Sequence, residues 1–255
     1  MTRTEAQKSL QWKAVDRSRA RYINEYEKRF LRALNAQIAP VIVAIRNGKD
    51  NPENYIVELP VLTVLEDLYT RVGRDFARDT YDSLTRKAHS ISYQTKADEP
   101  ESQWMRFVRR WIGKEGAEKV KNITDTTRNF VRKVLDQGAS EGLGTDKMAR
   151  LMIDEAEGIN LNRAKVIART EIISCSNLSS LEGARSTGIK LNKEWLATRD
   201  KRTRSSHIGV DGQEVGLDEL FSVNGSKLDY PGDSTNGAPG SETIQCRCSQ
   251  VYNPV

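Results

Sequence analysis

Up to about Gly188 apolar residues recur mostly at spacings of three and four; from Lys190 that rhythm stops, and glycine, proline, serine and aspartate become dense. A 3.6-residue period buries one face of a helix, whereas a turn-rich sequence cannot supply such a face. The chain is therefore expected to be mainly α. An elongated helical N-terminal region should precede a small α+β, loop-rich C-terminal module, with a boundary near 188. A module of about 65 residues has little core of its own and tends to need a metal or a neighbouring domain.

Within the helical part, residues 4–46 read as helix, with Tyr26, Phe30, Leu34, Ile38, Val41 and Ile45 in the apolar series. Pro40 lies inside this run and is expected to kink or split it. The turn cluster from Asn47 to Pro52 ends it. A second helix is expected from Leu62 to Ser90, then a polar loop from Thr95 to Glu101 and a short helix from Trp104 to Ile112. A fourth helix is expected over 116–140. Thr145 reads as the N-cap of a short helix ending at Ile153, and Leu161–Arg185 as the last long helix. Lys193–Ala197 and Ser249–Tyr252 read as strands.

Several function classes fall away on composition. No run of about 18 apolar residues exists, so no membrane span is expected. The start, MTRTEAQKSLQWK, lacks the apolar core of a secretory signal. Three cysteines in 255 residues are not a disulfide framework. The chain is read as cytosolic at synthesis, with reduced thiols. Apolar residues make up 37%, below the usual level of about 45–50%, which fits an elongated or partner-dependent chain.

The net charge of +5 is uneven: residues 1–33 hold nine Lys/Arg against four Asp/Glu, and residues 185–207 hold seven against two. Two basic segments in acidic surroundings point to an anionic partner, nucleic acid first, or else to solvated faces. No aromatic interleaving supports a base-stacking platform in them. Any DNA contact would be to phosphates and independent of sequence.

On the last helix, Leu161, Ala164, Ile167, Ala168, Ile172, Cys175 and Leu178 form an apolar stripe that also contains Glu171. A carboxylate there must be paired, hydrogen-bonded or protonated. An ion pair with a downstream arginine, a gap in the packing, and a catalytic or metal-binding acid are the alternatives. Arg169 points away from this face. Cys175 reads as a small core residue or a ligand.

In the module, Cys246 and Cys248 would project to one side of an extended segment and Arg247 to the other. A disulfide across one residue would be strained. With His207, the only histidine of the module, the two cysteines make a three-ligand start for a structural zinc. Cys175, Asp211, Asp233 or water could be the fourth ligand. The alternative is a metal-free cluster. Asp200, Lys201, Arg202, Arg204 and His207 could grip a phosphate, or serve a small nuclease by acid–base chemistry; they could equally be a charged turn. Asp211-Gly212 and Tyr230–Asp233 are turn signatures. No complete catalytic constellation is evident.

The order Arg169-Thr170-Glu171, Trp195, Asp200-x-Arg202-x-Arg204-x-x-His207, Asp211-Gly212 and Cys246-Arg247-Cys248 resembles the phage Mu F-like, or head-morphogenesis, family over about residues 115–252. The resemblance sets the expected division at 1–112 (family-variable), 113–188 and 189–255. It implies a minor head protein of a tailed bacteriophage, located in the virion head or at the portal vertex after assembly in the host cytoplasm. Implied partners are the portal protein, the major capsid protein and double-stranded DNA, with roles in head assembly and DNA packaging or ejection. Longer members carry a toxin domain after Cys-Arg-Cys; with seven residues beyond Cys248, none is expected here. A nuclease or transferase using Asp200, Arg202, Arg204 and His207 is the alternative.

Overall fold

The computed structural model describes residues 4–89, 100–198 and 200–255. Ser90 and residues 95–99 of the expected loop lie outside them, as does Arg199. The chain is mainly helical, with a small sheet-containing C-terminal part. The long elements are α1 (Glu5–Arg46), α2 (Leu59–His89), α3 (Pro100–Trp111), α4 (Ala117–Ser140) and α5 (Thr145–Ser186). A 3₁₀ turn spans Pro52–Tyr55, and a π-helical turn, Ile112–Gly116, precedes α4. No helix among the described residues is long and apolar enough to cross a membrane.

Two helices are longer than the local signals imply. Pro40 does not split α1. The lost backbone bond is offset by burial of Ile38, Val41 and Ile45 on either side of it. The helices expected at Thr145–Ile153 and Leu161–Arg185 are one, α5. Gly158, which weakens the helix locally, is exposed, while Met152, Ala156, Asn160 and Ala164 keep a buried row at every fourth residue across it. Gly188, at φ 66°, lies just beyond the C-terminal end of α5, the left-handed position that glycine favours there.

The chain divides into two compact units built from separated segments. One comprises Glu25–Asp67 and Arg110–Ala168. It contains an aliphatic cluster of Ile38, Val41, Ile45, Val131, Val134, Met148, Ala149, Met152 and Ala156, and also buries Tyr26, Phe30 and Trp111. Buried Gln37 is satisfied by Thr124 and Thr127 at 3.0 and 3.1 Å.

The other unit comprises Met1–Asn24, Leu68–Arg109 and Arg169–Val255. Here α5 is buried on all sides from Glu171 to Ser179, so the single stripe expected of it becomes a fully enclosed helix. Small residues make this geometry possible. A Cβ on Gly183 would stand 2.3 Å from the Ala77 carbonyl oxygen. Beyond Gly188 the strands are β1 (Leu191–Leu196), β2 (Glu214–Gly216), β3 (Phe221–Val223), β4 (Ser226–Leu228) and β5 (Ser249–Pro254), with short helices α6 (Ser205–Gly209) and α7 (Gly240–Thr243). An antiparallel sheet runs β2-β1-β5, with Trp195 opposite Gln250. β3 and β4 form a hairpin around Asn224-Gly225, both at positive φ as a tight primed turn requires. The module's core is Trp195, Ala197, Phe221, Val223, Leu228, Ala238, Cys246 and Cys248.

Candidate functional site

Two short helices and a strained turn bring the histidine and the two cysteines together. The short helix α6 carries His207 inward, 1% exposed. After α7 the chain turns through Gln245 at φ 56°, whose amide donates to Thr170 Oγ1 at 3.0 Å. Cys246 and Cys248 follow just before β5, both buried and reduced, while Arg247 faces the other way to Asp200. His207 Nδ1 lies 3.6 Å from Cys246 Sγ and 3.4 Å from Cys248 Sγ. Among the described residues this is the one group of three whose donor atoms could share a metal ion; those atoms lie within 4.8 Å of one another.

The other imidazole nitrogen is fixed. Nε2 lies 3.0 Å from Glu242 Oε2, which also accepts from Ser206 Oγ, while Oε1 accepts from Asn224 Nδ2. Burial works against ionisation of Glu242, but the bonds from Asn224, Ser206 and His207 outweigh it and hold its pKa below the ordinary value. A carboxylate only accepts, so Nε2 carries the hydrogen and Nδ1 presents a lone pair to the sulfurs. The indole of Trp195 stands edge-on to the imidazole at 5.4 Å and to Phe221 at 5.3 Å. A hydrogen bond between the thiols raises the pKa of Cys246 and lowers that of Cys248, which His207 lowers further.

Arg19 of α1 lies behind the cysteines. It is buried and donates to Ser176 Oγ (2.7 Å), Asn177 Oδ1 (2.6 Å) and the Cys248 carbonyl (3.2 Å). Burial lowers its pKa to about 10, against the pull of the Cys246 thiol and Asp16. Asn177 in turn donates to the carbonyls of Pro231 and Cys248.

The remaining expected site residues disperse. Thr170 holds the Gln245 turn, and Arg169 beside it is half-buried. Glu171 is buried and accepts from the Tyr69 hydroxyl of α2 at 3.1 Å. Cys175 contacts Ser179 and the Leu68 carbonyl. Asp211 caps the Ala197 amide at 2.8 Å, Gly212 at φ 79° donates to the Trp195 carbonyl, and Asp233 is engaged by the Asp229 amide, Thr235 and Asn236. Cys175, Asp211 and Asp233, considered as fourth ligands, thus have other partners. Asp200 joins Arg247 and Arg202 instead of His207. The hydrogen bond from Arg247 holds its carboxyl far below the usual range. Arg204 donates to the Ile244 carbonyl at 2.6 Å, and Arg202 is largely exposed.

The basic segments are partly spent internally. Lys8 pairs with Glu194 at 3.1 Å, Arg185 with Glu182, Asp218 and Asp229, and fully buried Lys193 with Asp229. Lys13, Arg17, Arg21, Lys201 and Arg202 remain exposed. Arg17 and Arg21 line an open cleft with Arg78, but Asp75 and Asp79 share it.

Sequence reasoning missed Glu242, Arg19 and Tyr69. Arg19 had a signal, because Tyr22, Tyr26 and Phe30 follow it at i+3, i+7 and i+11 on the buried face. The hairpin also had one, Asn224-Gly225 between two short runs. Glu242, in Pro-Gly-Ser-Glu, had none.

Residues 129–251 match the family model of phage Mu protein F like protein. An NAD(+)–arginine ADP-ribosyltransferase of Enterococcus faecalis, EFV, is 32% identical over 142 residues, 54% of this chain and 28% of that protein. YqbB of Bacillus subtilis, an uncharacterized protein, is 25% identical over 250 residues, 92% of this chain and 79% of its own. Minor head protein GP7 of Bacillus phage SPP1 is 28% identical over 128 residues, 49% of this chain and 40% of GP7. The chain therefore spans under a third of EFV and two fifths of GP7. No solved structure matches it.

Proposed function

Residues 129–251 place the chain in the phage Mu F-like family, and from that premise we propose that it is a minor head protein of a tailed bacteriophage. On this reading it associates with the portal or major capsid protein, acts in head morphogenesis and in packaging or ejection of DNA, and touches DNA without sequence preference. The observation that carries the structural role over a catalytic one is burial. The one histidine of the module is 1% exposed, and its ring is held between Glu242 and two equally buried cysteines. No substrate can reach Nε2 or Nδ1 there without opening the core.

Phosphate contact rests on the exposed cations Lys201 and Arg202, with Lys13, Arg17 and Arg21 on α1. Such contact releases counterions, so affinity falls linearly with salt on logarithmic axes. The test is co-sedimentation with procapsids and portal, together with DNA binding at several salt concentrations. Expected are co-sedimentation, equal affinity for unrelated DNA sequences, and a salt slope that drops by about 2 in the Lys201→Ala/Arg202→Ala double variant. Salt-insensitive binding would exclude the phosphate contact.

The similarity to EFV keeps a second reading in view, a nuclease or transferase using Asp200, Arg202, Arg204 and His207. It requires turnover by the wild-type protein that His207→Ala abolishes. A wild type that leaves nucleic acid intact, and transfers no group from a nicotinamide dinucleotide, ends that reading.

A further inference from the structure

We propose that His207 Nδ1, Cys246 Sγ and Cys248 Sγ bind one zinc ion, that Glu242 orients the histidine for it, and that water takes the fourth position. The spacing fits. A tetrahedral zinc with bonds of about 2.3 Å to sulfur and about 2.0 Å to nitrogen separates the two ligand types by about 3.5 Å. The two sulfur–nitrogen distances are 3.6 and 3.4 Å. A single lone pair on Nδ1 faces both sulfurs at once. One thiol proton can satisfy only one of those approaches well, whereas an ion between the three atoms satisfies all of them.

The surroundings are those of a metal-bound histidine. Ligating imidazoles commonly donate their second N–H to a carboxylate, which fixes the tautomer and raises ligand basicity. Glu242 does this, and is itself held by Ser206 and Asn224. Charge also favours an ion: two thiolates neutralise a divalent cation, and buried Arg19, which donates to the Cys248 carbonyl, has its three side-chain bonds all to neutral oxygens. Two buried polar atoms of residues that border the cluster, Trp195 Nε1 and Thr198 Oγ1, have no hydrogen-bond partner among the described residues. Trp195 stands against the His207 ring, and the Thr198 amide donates toward the Cys248 sulfur. An ordered zinc-bound water gives such groups a partner. Binding needs no redox step. The two thiols give up their protons to solvent as the ion enters.

The experiment is metal analysis and thiol counting on full-length wild-type protein purified without chelator, then reloaded with Zn²⁺ or Co²⁺. Expected are one zinc per chain, three titratable thiols after denaturation with chelator, and visible cobalt bands with thiolate charge transfer. Cys175→Ser should keep the ion. Cys246→Ser and Cys248→Ser should lose it. Glu242→Gln should keep the ligands but weaken zinc about 10–100-fold in chelator competition. A cooperatively folded wild type that holds no zinc and takes up none overturns the proposal. So does a Cys246–Cys248 disulfide, or zinc retained by the double cysteine variant. The decisive readings are on wild type, so a variant that fails to fold does not blunt them. They are also independent of whether the chain meets DNA or portal.

Discussion

The two units hold together by different means. The unit of Glu25–Asp67 and Arg110–Ala168 is a helical packing that buries a large aliphatic cluster and, apart from Gln37, Thr124, Thr127 and Asn160, few polar side chains and no charged ones among the described residues. The other surrounds one enclosed helix and a small sheet, and buries Arg19, Glu171, Asn177, Lys193, His207, Asp233 and Glu242 along with its apolar core. An aliphatic core tolerates exchange of similar volumes, because burial depends on area more than on direction. A buried polar network does not, because removing one member strands its partners. The unit with less regular secondary structure is therefore the more exacting in sequence.

The strongest way to break that contrast is to remove the zinc proposed at His207, Cys246 and Cys248. Stripping zinc from wild type should abolish the near-ultraviolet signal around Trp195 while most helical ellipticity survives. The stability loss should exceed that of any single substitution, since structural zinc in finger peptides contributes about 10–16 kcal/mol. Equal loss of both signals would mean that the units do not differ in this way.

Next come paired core truncations. Trp195→Ala should cost about 3–5 kcal/mol and Met152→Ala about 2–5 kcal/mol in denaturant melts. Only the first should also lower zinc affinity. A third pair uses glycines on one helix. Gly183→Ala drives a methyl into the Ala77 carbonyl and should cost about 1–3 kcal/mol or more. Gly158→Ala, with open space around it, should stabilise by about 0.8–1 kcal/mol.

The smallest effect is electrostatic. The hydrogen bond from Lys121, with Arg128 adding to it, lowers the pKa of Asp125 on the exposed face of α4. A depressed carboxyl adds stability that is present above its unfolded pKa of about 3.9 and is lost as pH falls through the folded value. Asp125→Asn should lower the melting temperature slightly at neutral pH and flatten the acid limb below pH 4 by the same small amount.

The helical region was legible because its signal is periodic and local. Tyr26, Phe30, Leu34 and Ile38 announce α1 by spacing alone. What misled was local too: Pro40 read as a break, and residues 154–160 as a gap between two helices, because the tertiary burial that carries the helix through both is not visible in sequence. At the candidate site, the three residues proposed as zinc ligands could be nominated by type. Their partners could not. Glu242 reaches His207 from 35 positions away and Tyr69 reaches Glu171 from 102, with no motif joining either pair.

The Cys-Arg-Cys segment is tied to residues far upstream: Trp12 bonds the Arg247 carbonyl across 235 positions, and Arg19 the Cys248 carbonyl across 229. Contacts of such span form slowly, because the entropy of closing the loop must be lost before any bond compensates it. The aliphatic unit, whose buried side-chain bonds span 87 and 90 positions, can form while the cysteine segment is still unplaced. On the zinc proposal, ion capture is then a late event, and the apo chain should be a half-folded species with bare thiols until α1 and the Cys-Arg-Cys segment meet.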